Sequence, residues 1–174
     1  MSEAISNLKL KVEQAKNLLQ QHERRPFEAT AEVSKELNRN YKSYVKEIIV
    51  DNDPKALIVL AEGIAQCIFS AGIKTNQVRN IFGYVKKIEA TEMSNTAEHN
   101  LILDKSYVEL SLLPAKLAYI IGRAENYQIE ALKLLKLIFD ESVETIGKDK
   151  KKFKTFIDLF EAIISYYRYY NPKQ

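Results

Sequence analysis

Apolar residues recur every three or four positions along most of the chain, and this spacing constrains the fold more than any other feature. A period near 3.6 places such residues on one face of an α-helix. The 174 residues include only five glycines and four prolines, and no segment sustains the alternation of a half-buried strand. We therefore predict an all-α protein, a compact bundle of about six helices with an N-terminal helical extension.

Two helices are predicted within residues 1–50. The first, over residues 3–21, has a narrow apolar stripe, which is typical of a helix resting on a larger body. We expect this helix to be interrupted at Arg24, Arg25 and Pro26. The second helix is predicted from about Thr30 to Asp51. We assign residues 1–50 to an N-terminal helical extension.

The following helix has clear signals at both ends. Asp53 is a suitable N-cap, Pro54 fits the first helical position, and Gly72 fits the position just after the end. The segment is apolar on more than one side, which predicts a central place in the bundle. We assign residues 51–174 to a helical-bundle domain.

Residues 71–90 predict a fourth helix with an apolar stripe and a basic arc. Thr75 is the expected N-cap. The stripe consists of Val78, Ile81, Phe82, Val85 and Ile88. Beside it lie Asn76, Arg79, Gly83, Lys86 and Lys87, with Lys74 just upstream. Gly83 would let a phosphate backbone approach. From these residues alone, a solvated basic face is the commoner interpretation and an RNA-binding face is the other.

The segment after this helix is less regular. Residues 91–100 are polar and predict a mobile loop, whereas residues 101–113 fit either a short helix or a packed loop. Pro114 then opens a helix on which Lys116, Tyr119 and Arg123 share an edge, because positions i, i+3 and i+7 nearly coincide around a helix. This is a second candidate basic edge, and a solvated flank is its alternative interpretation.

The last two predicted helices are separated by Gly147 and a lysine run. The run comprises Lys148, Lys150, Lys151, Lys152 and Lys154. Cations at a helix N-terminus oppose the helix dipole, so local stability does not explain them. They fit an ordinary solubilising loop or a site that attracts a polyanion. In the final helix we expect Tyr166, Tyr167 and Tyr170 to pack with their hydroxyls at the rim.

Sites for catalysis, metals or cofactors are not indicated. His22 and His99 have no ligand-type partners at metal-binding spacing. The sequence contains no glycine-rich phosphate loop and no nucleophile elbow. The lone cysteine, Cys67, lies among apolar residues and is expected to be buried. With a net charge of +3 and no membrane-length apolar run, the chain is expected to be a soluble cytoplasmic protein without a cofactor or small-molecule substrate.

Three stretches in order resemble one known family. They are IKTNQVRNIFGYVKKIEA at 73–90, LLPAKLAYIIGRAENY at 112–127 and KKFKTFIDLFEAIISYYRYY at 151–170. Together they are similar to the three motifs of the small subunit of the type III-A CRISPR effector, the Csm complex. The resemblance covers roughly residues 53–170, and residues 1–50 lie outside it.

The resemblance implies a non-catalytic helical subunit of an antiviral ribonucleoprotein. Such subunits line the channel in which guide and target RNA pair, beside other Csm subunits and further copies of themselves. Base pairing reads the sequence, so the protein needs only backbone contacts. The RNA-binding residues that we expect are Lys74, Asn76, Arg79, Lys86, Lys87, Lys116, Arg123, Lys151, Lys152 and Lys154. Gln77 is a further hydrogen-bonding candidate.

Two other functions compete with this hypothesis. A helical scaffold or adaptor would act only through protein–protein contacts, with solvated basic arcs. Exposed Tyr and Phe at a helix edge would favour it. An enzyme with an unfamiliar site is the third possibility, and the missing acid, base and metal constellations disfavour it.

Overall fold

A computed structural model of the chain describes residues 2–20, 26–94 and 100–172. This part folds into eight α-helices and a 3₁₀ turn at Asn126–Gln128, which confirms the predicted all-α bundle. The α-helices are α1 (Glu3–Gln20), α2 (Pro26–Ile49), α3 (Pro54–Ser70), α4 (Thr75–Met93), α5 (Asp104–Ser111), α6 (Leu113–Gly122), α7 (Ile129–Ile146) and α8 (Lys150–Tyr170).

Helix α3 is the centre of the bundle, as its apolar sequence predicts. It packs against α1, α2, α7 and α8, and every residue from Val59 to Ile68 is buried. Its ends follow the expected signals. The Asp53 carboxylate accepts the N–H groups of Lys55 and Ala56 at 2.8 and 3.2 Å, and Gly72 adopts a φ of 61° just after the helix.

Helices α1 and α2 share the hydrophobic core of the other helices. Their buried residues belong to the same cluster as those of α3 to α8, and α2 also packs along α7. The narrow stripe of α1 rests on α2 and α3 through Ile5, Leu8, Val12 and Ala15. The division into residues 1–50 and residues 51–174 stays a prediction.

The start of α2 differs from the prediction. The helix begins at Pro26 rather than near Thr30. Proline has no N–H to donate, and this loss costs nothing in the first turn, where the N–H has no intrahelical partner. Pro26 therefore begins the second helix. Arg24 and Arg25, the rest of the expected break, lie outside the described residues.

The structure of the segment after residue 90 also differs from the prediction. Helix α4 continues to Met93 because Glu92 extends its buried face, so the expected loop is wrong for residues 91–93. Residues 95–99 lie outside the described part. Leu101 then forms an antiparallel bridge with Asp149, and α5 follows. Of the two interpretations of residues 101–113, the structure selects the short helix.

The C-terminal helices close the core with aromatic contacts. The Phe139 ring lies edge-on to those of Phe156 and Phe160, at 5.3 and 5.2 Å between centroids. Tyr167 is 2% exposed and donates to the carbonyl of Ile73 at 2.7 Å. Tyr170 bonds side chains of α3, and Tyr166 packs against the core. The predicted packing of the terminal tyrosines is confirmed, but the Tyr167 hydroxyl is buried rather than at the rim. Cys67 is buried as expected, and burial raises the pKa of its thiol to about 12.

Candidate nucleic-acid interface

The first turn of α4 is fixed by hydrogen bonds, but not by the residue that the sequence indicates. Lys74, rather than Thr75, is the N-cap, and its N–H donates to Gln77 Oε1 at 2.9 Å. Gln77 Nε2 in turn donates to Gln128 Oε1 at 3.3 Å. Thr75 lies inside the helix, with its hydroxyl 3.4 Å from that of Tyr167. Gln77 therefore closes the first turn of α4 with its amide oxygen and joins α4 to the 3₁₀ turn with its amide nitrogen.

The outward face of α4 carries the strongest candidates. Lys74, Asn76 and Arg79 are exposed, and no hydrogen-bond or ion-pair partner for their side chains is found among residues 2–20, 26–94 and 100–172. Gly83 lies one turn beyond Arg79, and a Cβ placed on it would meet no atom within 4 Å. The face thus offers free donors beside an unobstructed stretch of backbone.

Lys86 is committed to intramolecular partners. Its ammonium pairs with Glu89 at 2.6 Å and also bonds Glu161 of α8. It lies 5.4 Å from the centroid of the Phe82 ring. The hydrogen bonds that Lys86 donates to Glu161 and then to Glu89 raise the pKa of its ammonium group. Two carboxylates therefore compensate this charge, which makes Lys86 a weaker phosphate ligand than Arg79.

The opposite edge of α4 meets α5 and α6. Lys87 Nζ lies 3.4 Å from the Glu109 carboxylate of α5, and Lys116 Nζ lies 4.2 Å from the centroid of the Tyr84 ring. A cation over an aromatic face keeps its charge, since the ring only polarises toward it. Lys116 therefore remains available to an anion, whereas Lys87 is partly compensated.

Arg123 follows the last residue of α6 and is exposed. Its guanidinium donates to the Tyr119 hydroxyl at 2.6 Å and lies 5.5 Å from that ring. The structure thus brings Lys116 to the α4 edge and pairs Arg123 with Tyr119. The order of the motifs in the sequence also suggests the hypothesis that Arg79 and Arg123 belong to one continuous basic face, and this hypothesis is a prediction for the RNA-binding test.

The lysine run has a partly local role. Asp149 caps α8 by accepting the N–H of Lys152 at 2.9 Å, and Lys152 Nζ donates to the carbonyl of Thr145 at 3.3 Å. Lys148 pairs with Asp104 at 2.6 Å. Lys148 and Lys152 therefore each have an intramolecular partner. Lys151 and Lys154 are exposed and line a separate cleft between α4 and α8.

Two aromatic residues belong to this surface although sequence reasoning did not select them as binding residues. Tyr84 and Tyr119 are 38% and 64% exposed, and each lies beside a basic side chain. The i, i+4 spacing of Tyr119 and Arg123 is a signal that could have identified one pair. No local spacing links Tyr84 to Lys116, because the two lie on different helices.

The described residues give little support for metal binding or membrane insertion. Across residues 2–20, 26–94 and 100–172, no group of three or more His, Cys, Asp and Glu side chains is arranged to hold a metal ion. His22 and His99 lie outside these ranges. A bilayer span needs about twenty apolar residues in a helix, and none of the helices α1 to α8 satisfies this requirement.

A comparison with protein families shows to which family the chain belongs. The model of the family Csm2 of type III-A matches residues 51–173, well over half of the chain. The chain belongs to the Csm2 family. No curated protein and no solved structure gives a significant match. Family membership identifies the chain as a small subunit of the type III-A CRISPR Csm complex, which confirms the resemblance seen in the sequence.

The first residue of the Csm2 match lies close to the end of a helix. The match begins at residue 51, in the turn that follows α2. The three motifs that carry the resemblance lie on α4, on α6 and on α8. The candidate RNA-binding residues are therefore all within the segment that the family shares, while α1 and α2 precede it.

Proposed function

We propose that this Csm2 family member is a non-catalytic subunit that lines the RNA channel of the Csm complex. It contacts the guide or target RNA backbone without sequence specificity and bridges neighbouring subunits, including copies of itself, in antiviral defence. We place this work in the cytoplasm, where a complex of this kind meets foreign RNA. The observation that carries the proposal is the exposed guanidinium of Arg79, which has no partner among the described residues and lies beside the open backbone at Gly83.

The physical basis is the chemistry of a phosphate backbone. A guanidinium donates in a fork that matches phosphate oxygens, and the Asn76 amide can add a neutral hydrogen bond. Lys116 and Arg123 extend the basic character to α6. Such contacts carry no base information, which suits a subunit whose RNA is selected by base pairing.

The test is RNA binding by the assembled complex with Arg79→Ala and Arg123→Ala combined in this subunit. We expect weaker binding of target RNA and a smaller dependence of affinity on salt, because fewer phosphates are neutralised. The matched control is Lys9→Ala with Arg39→Ala, which removes the same charge from exposed positions of α1 and α2. Unchanged RNA affinity in a complex that assembles normally would rule the proposal out.

A scaffold that acts only through protein contacts is the second candidate. It is favoured by apolar exposure on α5 and at its junction with α6, where Val108 is 56% exposed and Leu112 is 50% exposed. The same experiment separates the two functions. If Val108→Ser with Leu112→Ser prevents assembly while the double arginine variant binds RNA normally, the scaffold function is the correct one.

A further inference from the structure

Helices α5 and α6 carry a second apolar face in addition to the one that enters the core. Leu110, Leu113 and Leu117 form the inner face and are fully buried. The second face, the outer stripe, consists of five exposed residues: Val108, Leu112, Ala115, Tyr119 and Gly122. Val108, Leu112 and Tyr119 are 56%, 50% and 64% exposed. The outward side of a surface helix is normally polar, so an apolar stripe there indicates a binding surface.

The outer stripe is continuous from α5 to α6. Only Leu112 separates the two helices, and its backbone stays right-handed helical, with φ −86° and ψ −10°. The N–H of Leu112 donates to the carbonyl of Val108, and the N–H of Lys116 donates to the carbonyl of Leu112, both at 3.1 Å. The stripe residues follow one another at intervals of four, three, four and three positions. This is the spacing by which two helices pack side by side.

The charges beyond the two ends of the outer stripe are opposite. Lys105 lies three residues before Val108, and Glu125 lies three residues after Gly122. Both side chains are exposed, and neither has an ion-pair partner within residues 2–20, 26–94 and 100–172. When two copies of the stripe meet antiparallel, Ala115 lies at the centre and each Lys105 approaches the Glu125 of the other copy. A parallel pair would place like charges together instead.

The other charges that border the outer stripe fit the same arrangement. Glu109 and Arg123 lie near opposite ends of the stripe, so an antiparallel pair brings the Arg123 of one copy toward the Glu109 of the other. Lys116 is the cation nearest to the centre, and its ammonium lies over the Tyr84 ring of α4 at 4.2 Å from the centroid. This contact directs Lys116 toward α4 and keeps the two like charges apart.

We propose that the outer stripe joins two copies of this chain as an antiparallel pair related by a two-fold axis at Ala115. Leu112 packs against the Tyr119 of the other copy, and the small side chain of Ala115 lets the helices approach closely. A helix of this length spans about 22 Å, so the contact is smaller than that of an obligate dimer and the free chain pairs weakly. The inference rests on the proposed function, in which copies of the subunit bridge one another, and it names the surface that they use.

An exchange of charges tests the antiparallel arrangement. Sedimentation equilibrium of the full chain gives the dissociation constant of the pair. Lys105→Glu alone and Glu125→Lys alone each place like charges at both ends, which should weaken self-association about tenfold. An equal mixture of the two variants restores both ion pairs, so the mixed pair should be about as tight as the wild type. Lys9→Glu and Glu13→Lys make the same charge changes at exposed positions of α1 and should have no effect.

A cross-link tests the position of the two-fold axis. Ala115→Cys should form a disulfide between two copies on oxidation, because the Cα atoms of a disulfide lie about 4.4–6.8 Å apart. Ala118→Cys is the matched control, since Ala118 is also exposed. It lies about 4.5 Å along the helix from the axis, so its two copies are about 9 Å apart and should not cross-link. The native Cys67 is buried and does not compete.

The apolar contribution is measured with Leu112→Ser, which should weaken self-association at least about tenfold, because each pair buries this side chain twice. Leu10→Ser changes an apolar residue of α1 that is 61% exposed and should have no effect.

Three results would overturn the inference. They are a chain that stays monomeric up to about 1 mM, a pair that is insensitive to Leu112→Ser, and a mixture of the charge variants that associates no more tightly than either alone. If the chain is monomeric and Leu112→Ser abolishes binding of a different Csm subunit, the outer stripe belongs to that subunit instead. Failure of the proposed function is distinguishable, because it would appear as unchanged RNA binding by the Arg79→Ala and Arg123→Ala variant, whereas these measurements contain no RNA.

Discussion

The hydroxyl of Tyr170 donates a 2.7 Å hydrogen bond to the buried carboxylate of Glu62. Lys16 of α1 reaches the same oxygen at 3.4 Å, so one acceptor joins α1, α3 and the end of α8. Gln66 Nε2 also donates to the Tyr170 hydroxyl, at 2.9 Å. This cluster fixes the C-terminal end of the chain and α1 to the central helix.

Removal of that hydroxyl should destabilise the protein. Tyr170→Phe keeps the ring against Phe69 but deprives the Glu62 carboxylate of a donor, which costs about 1–3 kcal/mol for a buried charged acceptor. The free energy of unfolding in urea measures this loss. Tyr169→Phe, at a residue that is 56% exposed, should change stability by less than about 0.5 kcal/mol. Equal effects of the two substitutions would contradict the assigned role of Tyr170.

A methyl group at Gly63 should disturb the contact of α3 with α1 and α2. Its Cβ would lie 3.2 Å from Val12 Cγ2 and 3.3 Å from Val33 Cγ1, and overpacking of this kind costs about 1–3 kcal/mol. Gly83→Ala is the matched control, because its Cβ enters open space and should stabilise α4 by about 0.5–1 kcal/mol. Thermal unfolding of both variants gives the comparison. A Gly63→Ala protein as stable as the wild type would show that the three helices separate easily.

The buried carboxylate of Glu36 should make stability depend on acid pH. Burial alone would raise the pKa of Glu36, but hydrogen bonds from Lys11, Tyr44 and Asn40 outweigh it and lower the pKa below the ordinary value of 4.5. The ionised form therefore stabilises the fold fully above that value, and the contribution is lost as the pH falls through the lowered pKa.

Glu36→Gln tests this dependence. We expect the variant to be less stable by about 1–3 kcal/mol at pH 7, with the difference shrinking as the pH falls below about 4. Urea unfolding between pH 7 and pH 3 measures both. Glu32→Gln should show much smaller effects, because the ion pair of Glu32 with Lys35 is exposed to solvent. A difference that persists undiminished at the lowest pH would refute the role of the ionised carboxylate.

Arg79 and Lys86 should contribute unequally to RNA binding despite sharing the basic arc. Arg79→Gln removes a free charge and should lower the salt slope of binding by about one. Lys86→Gln removes a charge that Glu89 and Glu161 already compensate, so its slope should stay near that of the wild type. Fluorescence anisotropy with one RNA at several salt concentrations gives both slopes. Equal reductions would mean that Lys86 leaves its carboxylates when RNA binds.

Much of the fold could be predicted because its signals are local. The Asp53 and Pro54 pair, the glycine after α3 and the spacing of Val78, Ile81, Val85 and Ile88 all act within a few residues, and the structure agrees with each. One error lies where a distant contact overrides a local preference. Helix α4 continues into the expected loop as far as Met93, where the Glu92 carboxylate accepts the N–H of Leu103.

The candidate site, like the fold, could be predicted only in part. Periodicity places Asn76 and Arg79 on the exposed side of α4, and the structure agrees. It gives no indication that Glu161, 75 residues further along the chain, neutralises Lys86, or that Lys116 covers the Tyr84 ring. The exposed aromatic residues beside the cations likewise became evident only in the assembled bundle.

The sequence by itself determined the all-α class, the family of the chain and the helices on which the basic residues lie. These properties depend on periodicity, caps and ordered motifs, which are local along the chain. Only the tertiary structure decided which cations are free, and that α1, α3 and α8 meet at Glu62. The physical reason is that a charge is compensated by neighbours in space. Residues far apart in sequence become such neighbours only when the apolar faces of the helices have packed together.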